Sequence, residues 1–374
     1  MLWIPSLFES KGGIQAYSAY FLEALRSIYP NTQHRVFLKH DIKSQIPTLP
    51  NSNIIYIPNG NTPSWLRTPA FTTQIIQSSI RQPPDLIIST HLNFSPAAWY
   101  LKQLKNIPYW TVAHGIEAWN IKNPLVKIAI RDADLILAVS HYTRDRLLQS
   151  ENLNPDRVVV LPNTFDLDRF KIDRKPQYLL DKYQLTTQQQ IMLTVARLSD
   201  SEGYKGYDRI LEALPQIRTS IPDIHYILVG KGNDRSRIEQ LIAQLDLQNC
   251  VTLAGFVPDE QLCDYYNLCD MFAMPSKGEG FGIVYLEAMA CGKPCLGGNR
   301  DGAIDALCHG ELGALVNPDD VDAIAQTLIQ ILQGTYSNPM MYQPELLRAK
   351  VIEVYGFDKF QQTLVDLISE KSSY

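Results

Sequence analysis

Residues Pro275-Ser-Lys-Gly-Glu-Gly-Phe-Gly-Ile-Val-Tyr-Leu-Glu287 follow an apolar run, Met271–Met274, and lead into a helical stretch ending near Ala290. Strand, glycine loop, helix is the layout of a phosphate site in a parallel α/β sheet. Gly278, Gly280 and Gly282 let the backbone approach a ligand closely. The amides of Gly282, Ile283 and Val284 at the helix start, aligned with the helix dipole, favour an anion such as a diphosphate. Two carboxylates frame the stretch: Glu279 in the loop and Glu287 about a turn into the helix. Each can accept hydrogen bonds from vicinal hydroxyls, Glu279 from a hexose and Glu287 from a ribose. The rival readings are a helix-capping charge at Glu279 and a solvated surface charge at Glu287.

On either side of this stretch, apolar runs alternate with amphipathic ones along the whole chain, a pattern that calls for parallel strands with helices on both sheet faces. Strands are predicted at 2–5, 35–38, 54–57, 86–89, 109–113, 135–139 and 158–161, and again at 191–196, 225–229, 251–253, 271–274, 294–296 and 314–316. The irregular, polar stretch between the two sets marks a junction. The expected domains are therefore 1–170 and 171–354, each Rossmann-like. Phe357, Phe360, Leu364, Leu367 and Ile368 recur at helical spacing, so a terminal helix over 355–374 is expected to bury them on the first domain. A chain of 374 residues fits two such domains, because single cores stop growing at about 250–300 residues.

Composition narrows the function. A 45% hydrophobic and 20% charged chain folds as a globular protein. A net charge of −5 without a basic stripe argues against nucleic acid as partner. The six cysteines form no CxxC pair and read as small buried residues of a reduced compartment, not as a disulfide frame or zinc site. The first residues lack a signal-peptide pattern and no run reaches the length of a membrane span, so a cytoplasmic location is expected, with the inner membrane face as the variant. Trp65 beside Arg67 is the one place where peripheral membrane contact competes with an ordinary helix start packed on the core.

Further segments carry charge to strand ends. Thr194-Val-Ala-Arg-Leu-Ser-Asp-Ser-Glu-Gly-Tyr-Lys-Gly-Tyr207 delivers Arg197 and Lys205, which can neutralise a diphosphate without a metal. Lys11-Gly-Gly-Ile-Gln-Ala-Tyr17 opens a helix through Gly12 and Gly13, and Val112-Ala-His-Gly-Ile-Glu117 sets His114 at a strand end. The DxD-like pairs Asp132/Asp134 and Asp320/Asp322 are read as a helix end and a helix start, with no metal assigned. Gly230-Lys-Gly232 lacks the third glycine of a dinucleotide fingerprint, Arg235 standing there. Neither a GxSxG element nor a P-loop occurs.

In this order the segments resemble glycosyltransferase family 4, over nearly the whole chain. Glu279 to Glu287 is similar to its EX7E element. Arg197 and Lys205 match its diphosphate-binding cations, Gly12-Gly13 its glycine loop, His114 its histidine, and Pro162-Asn-Thr-Phe-Asp166 its interdomain PNGVD stretch. The resemblance implies a GT-B fold, two facing Rossmann-like parallel-sheet domains with a cleft between them, and a retaining, nucleotide-sugar-dependent transfer. It implies catalytic roles for Glu279, His114, Arg197 and Lys205. It further implies donor binding by Gly12, Gly13, Gly280, Phe281, Gly282, Ile283, Val284 and Glu287, with the base held near Phe256 and Val257. No cofactor is expected: the nucleoside-diphosphate sugar is a substrate, handled without metal. Glucose from UDP-glucose is the expected donor group, and a hydroxyl of a glycan or lipid-linked glycan in polysaccharide biosynthesis the expected acceptor. The alternatives are a non-catalytic GT-B subunit that binds a nucleotide sugar or glycan, a UDP-sugar epimerase, and a pyridoxal-bearing phosphorylase. Two departures stand out: the first strand starts almost at Met1, and the Asp301-Gly302 loop has one glycine where relatives often show two.

Overall fold

The computed structural model describes residues 1–9, 12–47 and 53–371; Lys11 of the first glycine segment lies outside them. All thirteen predicted strands are present among the described residues, within a residue or two of their expected ends. The first sheet contains β1 (Leu2–Ile4), β2 (His34–Leu38), β3 (Ile54–Pro58), β4 (Ile87–Ser89), β5 (Tyr109–Ala113), β6 (Leu135–Ala138) and β7 (Val158–Val160). The second contains β8 (Ile191–Val195), β9 (His225–Val229), β10 (Val251–Gly255), β11 (Met271–Met274), β12 (Cys295–Gly298) and β13 (Ala314–Val316).

The strand orders are β3-β2-β1-β4-β5-β6-β7 and β10-β9-β8-β11-β12-β13. Every pairing is parallel. Parallel strands are covered on both faces, which is why β5, β9 and β11 are buried at every residue and why β11 reads in the sequence as an unbroken apolar run. In each sheet the order reverses once, at β1/β4 and at β8/β11. The loops leaving the carboxyl ends of the strands part there, and such switch points are where open α/β sheets bind ligands.

Five helices position the residues of interest: α1 (Gly13–Ile28), α2 (Tyr207–Ser220), α3 (Asp259–Leu268), α4 (Ile283–Ala290) and α5 (Phe357–Lys371). The chain divides into two compact units. One comprises Met1–Thr164 with the terminal residues from Asp358 on, the other Phe165–Phe357. The boundary falls a few residues before the expected limit at 170. Within the first unit Phe360 of α5 sets its ring edge-on to Tyr17 and Phe21 of α1, with centroids 5.7 and 6.3 Å apart. Of the five expected positions Phe360 and Leu364 are buried, whereas Phe357, Leu367 and Ile368 are only half-buried. The second core is built from Met192, Tyr207, Ile210, Leu214, Tyr226 and Leu228, which pack α2 against its sheet.

Three expectations need correction. The cysteines are all free, but Cys263 and Cys308 are only half-buried. Trp65 is 77% exposed and so does not pack on the core as an ordinary helix start would. Arg67 turns back on its own loop, donating to the carbonyls of Gly60 and Thr62. Glu287, whose rival reading was a solvated charge, is buried. No helix among the described residues is long and apolar enough to cross a membrane.

Candidate functional site

The loops that leave β8, β11 and β12 in the second unit are pressed together, and glycine makes this feasible. A Cβ on Gly206 would lie 2.2 Å from the Pro275 carbonyl oxygen, and one on Gly278 would lie 2.6 Å from the Tyr204 ring. Gly298 and Gly302 meet the carbonyls of Ser276 and Gly280 in the same way. Gly206 and Gly282 also have φ of +80° and +90°, in the left-handed region that a side chain disfavours. The Tyr204 carbonyl accepts from the Lys277 amide at 2.9 Å, tying the β8 loop to the β11 loop.

This contact brings charged groups together. Lys205 is ion-paired with Glu279 and lies 3.7 Å from Glu202, while Arg197 donates to the other oxygen of Glu202 at 2.9 Å. Burial works against the Lys205 ammonium, but the carboxylate of Glu279 outweighs it and holds the group above the usual lysine range. The two predicted cations therefore share a carboxylate, Glu202, that the sequence reading did not single out. Arg197 remains 62% exposed and Lys205 13%.

A second carboxylate, named in the sequence only for its neighbouring glycine, shapes the glycine loop. Asp301 is fully buried and accepts from Ser276 Oγ at 2.7 Å, the Glu279 amide at 2.8 Å and the Ala303 amide at 3.0 Å. Burial pushes its carboxyl up to about 6, against the pull of these donors. Asp301 thus fixes the backbone at Glu279, whose side chain holds Lys205. Downstream, α4 starts at Ile283 without a side-chain cap. Its first-turn amides, those of Ile283 and Val284, carry the positive end of the helix dipole. Phe281 is buried, with its ring edge-on to Tyr355.

Glu287 accepts from the Tyr266 hydroxyl at 2.7 Å. Burial raises its carboxyl to about 7, while the Tyr266 hydrogen bond and the charge of Arg169 oppose the rise. A carboxyl with a raised folded-state value stabilises the fold fully below its ordinary value near 4.5, and this contribution is lost as the pH rises through about 7. Glu287→Gln removes the titration. Relative to the parent, the variant is expected to gain about 3 kcal/mol of stability between pH 4.5 and pH 8. Urea midpoints of both proteins at the two pH values check this; equal differences at both would refute it.

Phe256 follows β10, is 55% exposed, and has Lys231 Nζ 4.7 Å from its ring centroid; Val257 beside it is buried. In the first unit, Gly12 caps α1 through its backbone in an extended conformation and Gly13 opens the helix. His114 Nε2 lies 2.9 Å from the Thr90 carbonyl, which can only accept, so this nitrogen carries the proton. Burial lowers the imidazole to about 4, leaving it neutral with Nδ1 as an acceptor. Asp41, also missed in the sequence, is fully buried and receives Ser6 Oγ and the amides of Leu7, Phe8 and Glu9, setting the path of the chain after β1. The DxD-like pairs have structural partners: Asp134 takes Lys102 and the Tyr109 amide, and Asp320 caps a helix through the Ala323 amide.

Comparison with known proteins bears on the family and the fold. Residues 11–169 match the family model described as Glycosyltransferase Family 4, and residues 179–343 match that described as Glycosyl transferases group 1. A GDP-mannose-dependent alpha-(1-6)-phosphatidylinositol monomannoside mannosyltransferase of Mycolicibacterium smegmatis is 31% identical over 59% of this chain and 59% of its own length. An N-acetyl-alpha-D-glucosaminyl L-malate synthase of Bacillus anthracis is 28% identical over 63% of this chain and 60% of its own. The chain thus spans about 60% of the length of the curated relatives it matches. Among solved structures, sucrose-phosphate synthase from Thermosynechococcus elongatus superposes with a TM-score of 0.82 at 22% identity, covering 100% of this chain and 98% of that one. Anabaena HepE in complex with UDP and glucose gives 0.78 at 20% identity, covering 99% of both. These likenesses show the GT-B fold. With one family model on each half of the chain and this fold beneath them, the chain belongs to glycosyltransferase family 4.

Proposed function

We propose that this chain transfers a hexose from a nucleoside-diphosphate hexose to a hydroxyl of a glycan or lipid-linked glycan, with retention at the anomeric carbon and without metal. The observation that carries the reading is the Lys205–Glu279 ion pair, built between two strand-end loops and flanked by Arg197 and the start of α4. In the reaction the acceptor oxygen bonds to the anomeric carbon as the bond from that carbon to the diphosphate oxygen breaks. Negative charge grows on the departing diphosphate. Lys205, Arg197 and the amides near Gly282 are the groups that would meet it, and fixed positive groups of this kind stabilise the transition state most. The acceptor proton passes to a donor phosphate oxygen, so no enzymic nucleophile is needed.

Glu279 would hold the hexose hydroxyls and Glu287 the ribose, while Phe256 and Val257 hold the base. The family resemblance assigns His114 to the hexose, and its neutral imidazole would accept a hydroxyl proton at Nδ1. UDP-glucose is the donor expected from the sequence. The names of the mycobacterial relatives favour GDP-mannose as a second reading. Calorimetric titration with UDP and GDP in the presence of EDTA separates the two: one nucleotide is expected to bind in the micromolar range, and the matching sugar nucleotide to be turned over. Failure of UDP, GDP and ADP all to bind at millimolar concentration would remove the proposal.

A further inference from the structure

Two thiols outside this machinery sit side by side. Cys263 lies on α3 and Cys291 ends α4, and their Sγ atoms are 3.8 Å apart. A disulfide requires about 2.05 Å, so closure by about 1.7 Å joins them. The two differ in access. Cys291 is buried, and its amide is bound to the carbonyls of Glu287 and Ala288 at the helix end. Cys263 is half-buried and receives Asn267 Nδ2 at 3.4 Å. The hydrogen bond with Cys291 pulls the Cys263 thiol down to about 6 against the upward push of burial, whereas burial raises Cys250, Cys269, Cys295 and Cys308. A half-buried thiol within 3.8 Å of a second thiol is the arrangement of a reversible oxidation site.

We propose that Cys263 and Cys291 are such a couple, closed to a disulfide between α3 and α4 by hydrogen peroxide and reopened by a dithiol. The Cys263 sulfur attacks one peroxide oxygen, the O–O bond breaks, and hydroxide leaves and is protonated to water. The Cys291 sulfur then attacks the resulting Cys263 sulfenic acid, the S–O bond breaks, and a second water departs with the Cys291 proton. Two electrons pass from the thiol pair to peroxide. The cross-link spans the helix pair that carries the Tyr266–Glu287 contact.

Treating the whole protein with hydrogen peroxide, alkylating it and mapping peptides by mass spectrometry without reduction tests this independently of any sugar transfer. A Cys263–Cys291 linked peptide is expected, lost on treatment with dithiothreitol and absent from Cys263→Ser. In Cys291→Ala, dimedone is expected to trap Cys263 as a sulfenic acid; should that buried change prevent folding, the wild-type map and Cys263→Ser decide alone. Equal alkylation of Cys263 with and without peroxide, or its linkage to another cysteine, overturns the proposal.

Discussion

Lys205→Ala is expected to lower the turnover of a nucleoside-diphosphate hexose by about 10²–10³-fold, the usual cost of removing one fixed positive group from a site of developing charge. The loss should fall on kcat more than on KM, because the departing diphosphate gains its charge in the transition state. Folding suffers too, and for a separable reason. Without the ammonium, Glu279 and Glu202 remain as half-buried carboxylates with no counter-charge on that side, a cost of about 1–3 kcal/mol. Steady-state kinetics of the variant, with its urea midpoint measured alongside, keep the two effects apart. A kcat within twofold of the parent in a folded variant would mean that Lys205 does not meet the diphosphate.

The second large effect is on stability. Asp41→Ala is expected to cost about 3–5 kcal/mol, because four donors lose one shared acceptor: the Ser6 hydroxyl and three successive amides. A buried carboxylate is tolerable only while it is fully hydrogen-bonded, and here three of the four donors are main-chain amides. Asp41→Asn keeps one accepting oxygen and should lose less, about 1–2 kcal/mol. Urea denaturation reads both, with an unchanged slope marking a native-state effect. A loss below 1 kcal/mol for the alanine variant would show that water replaces the carboxylate.

These two residues differ in how visible they were beforehand. Lys205 was legible because it stands with Arg197 in one strand–loop–helix frame, and the Gly278–Gly282 loop forms a second such frame further along the chain. The strands were legible for a related reason: burial on both faces leaves runs such as Met271–Met274 with no polar position. The terminal helix announced its apolar stripe, and Phe360 and Leu364 are where it is buried. Asp41, Asp301 and Glu202 were not legible as loop-holding groups. Asp41 serves amides more than thirty positions away, and Asp301 serves Glu279 from a different strand end. A carboxylate that bonds the backbone leaves no partner residue type for a pattern to display. The environment of Glu287 was hidden likewise, since only packing beside Tyr266 distinguishes it from a surface charge. The nearness of Cys263 and Cys291 depends on how α3 lies along α4, which spacing alone does not encode.

The placement of Phe360 against Tyr17 and Phe21 has a consequence for biosynthesis. The surface of α1 that this ring covers is made early, and its cover is synthesised only about 340 residues later, roughly 17–68 s at about 5–20 residues per second. Throughout that interval the edges of Tyr17 and Phe21 that Phe360 covers stay open in the nascent chain. The second half, whose segments are contiguous, has every part of its core to hand sooner after it begins, so the portion translated last but one is the portion able to finish first.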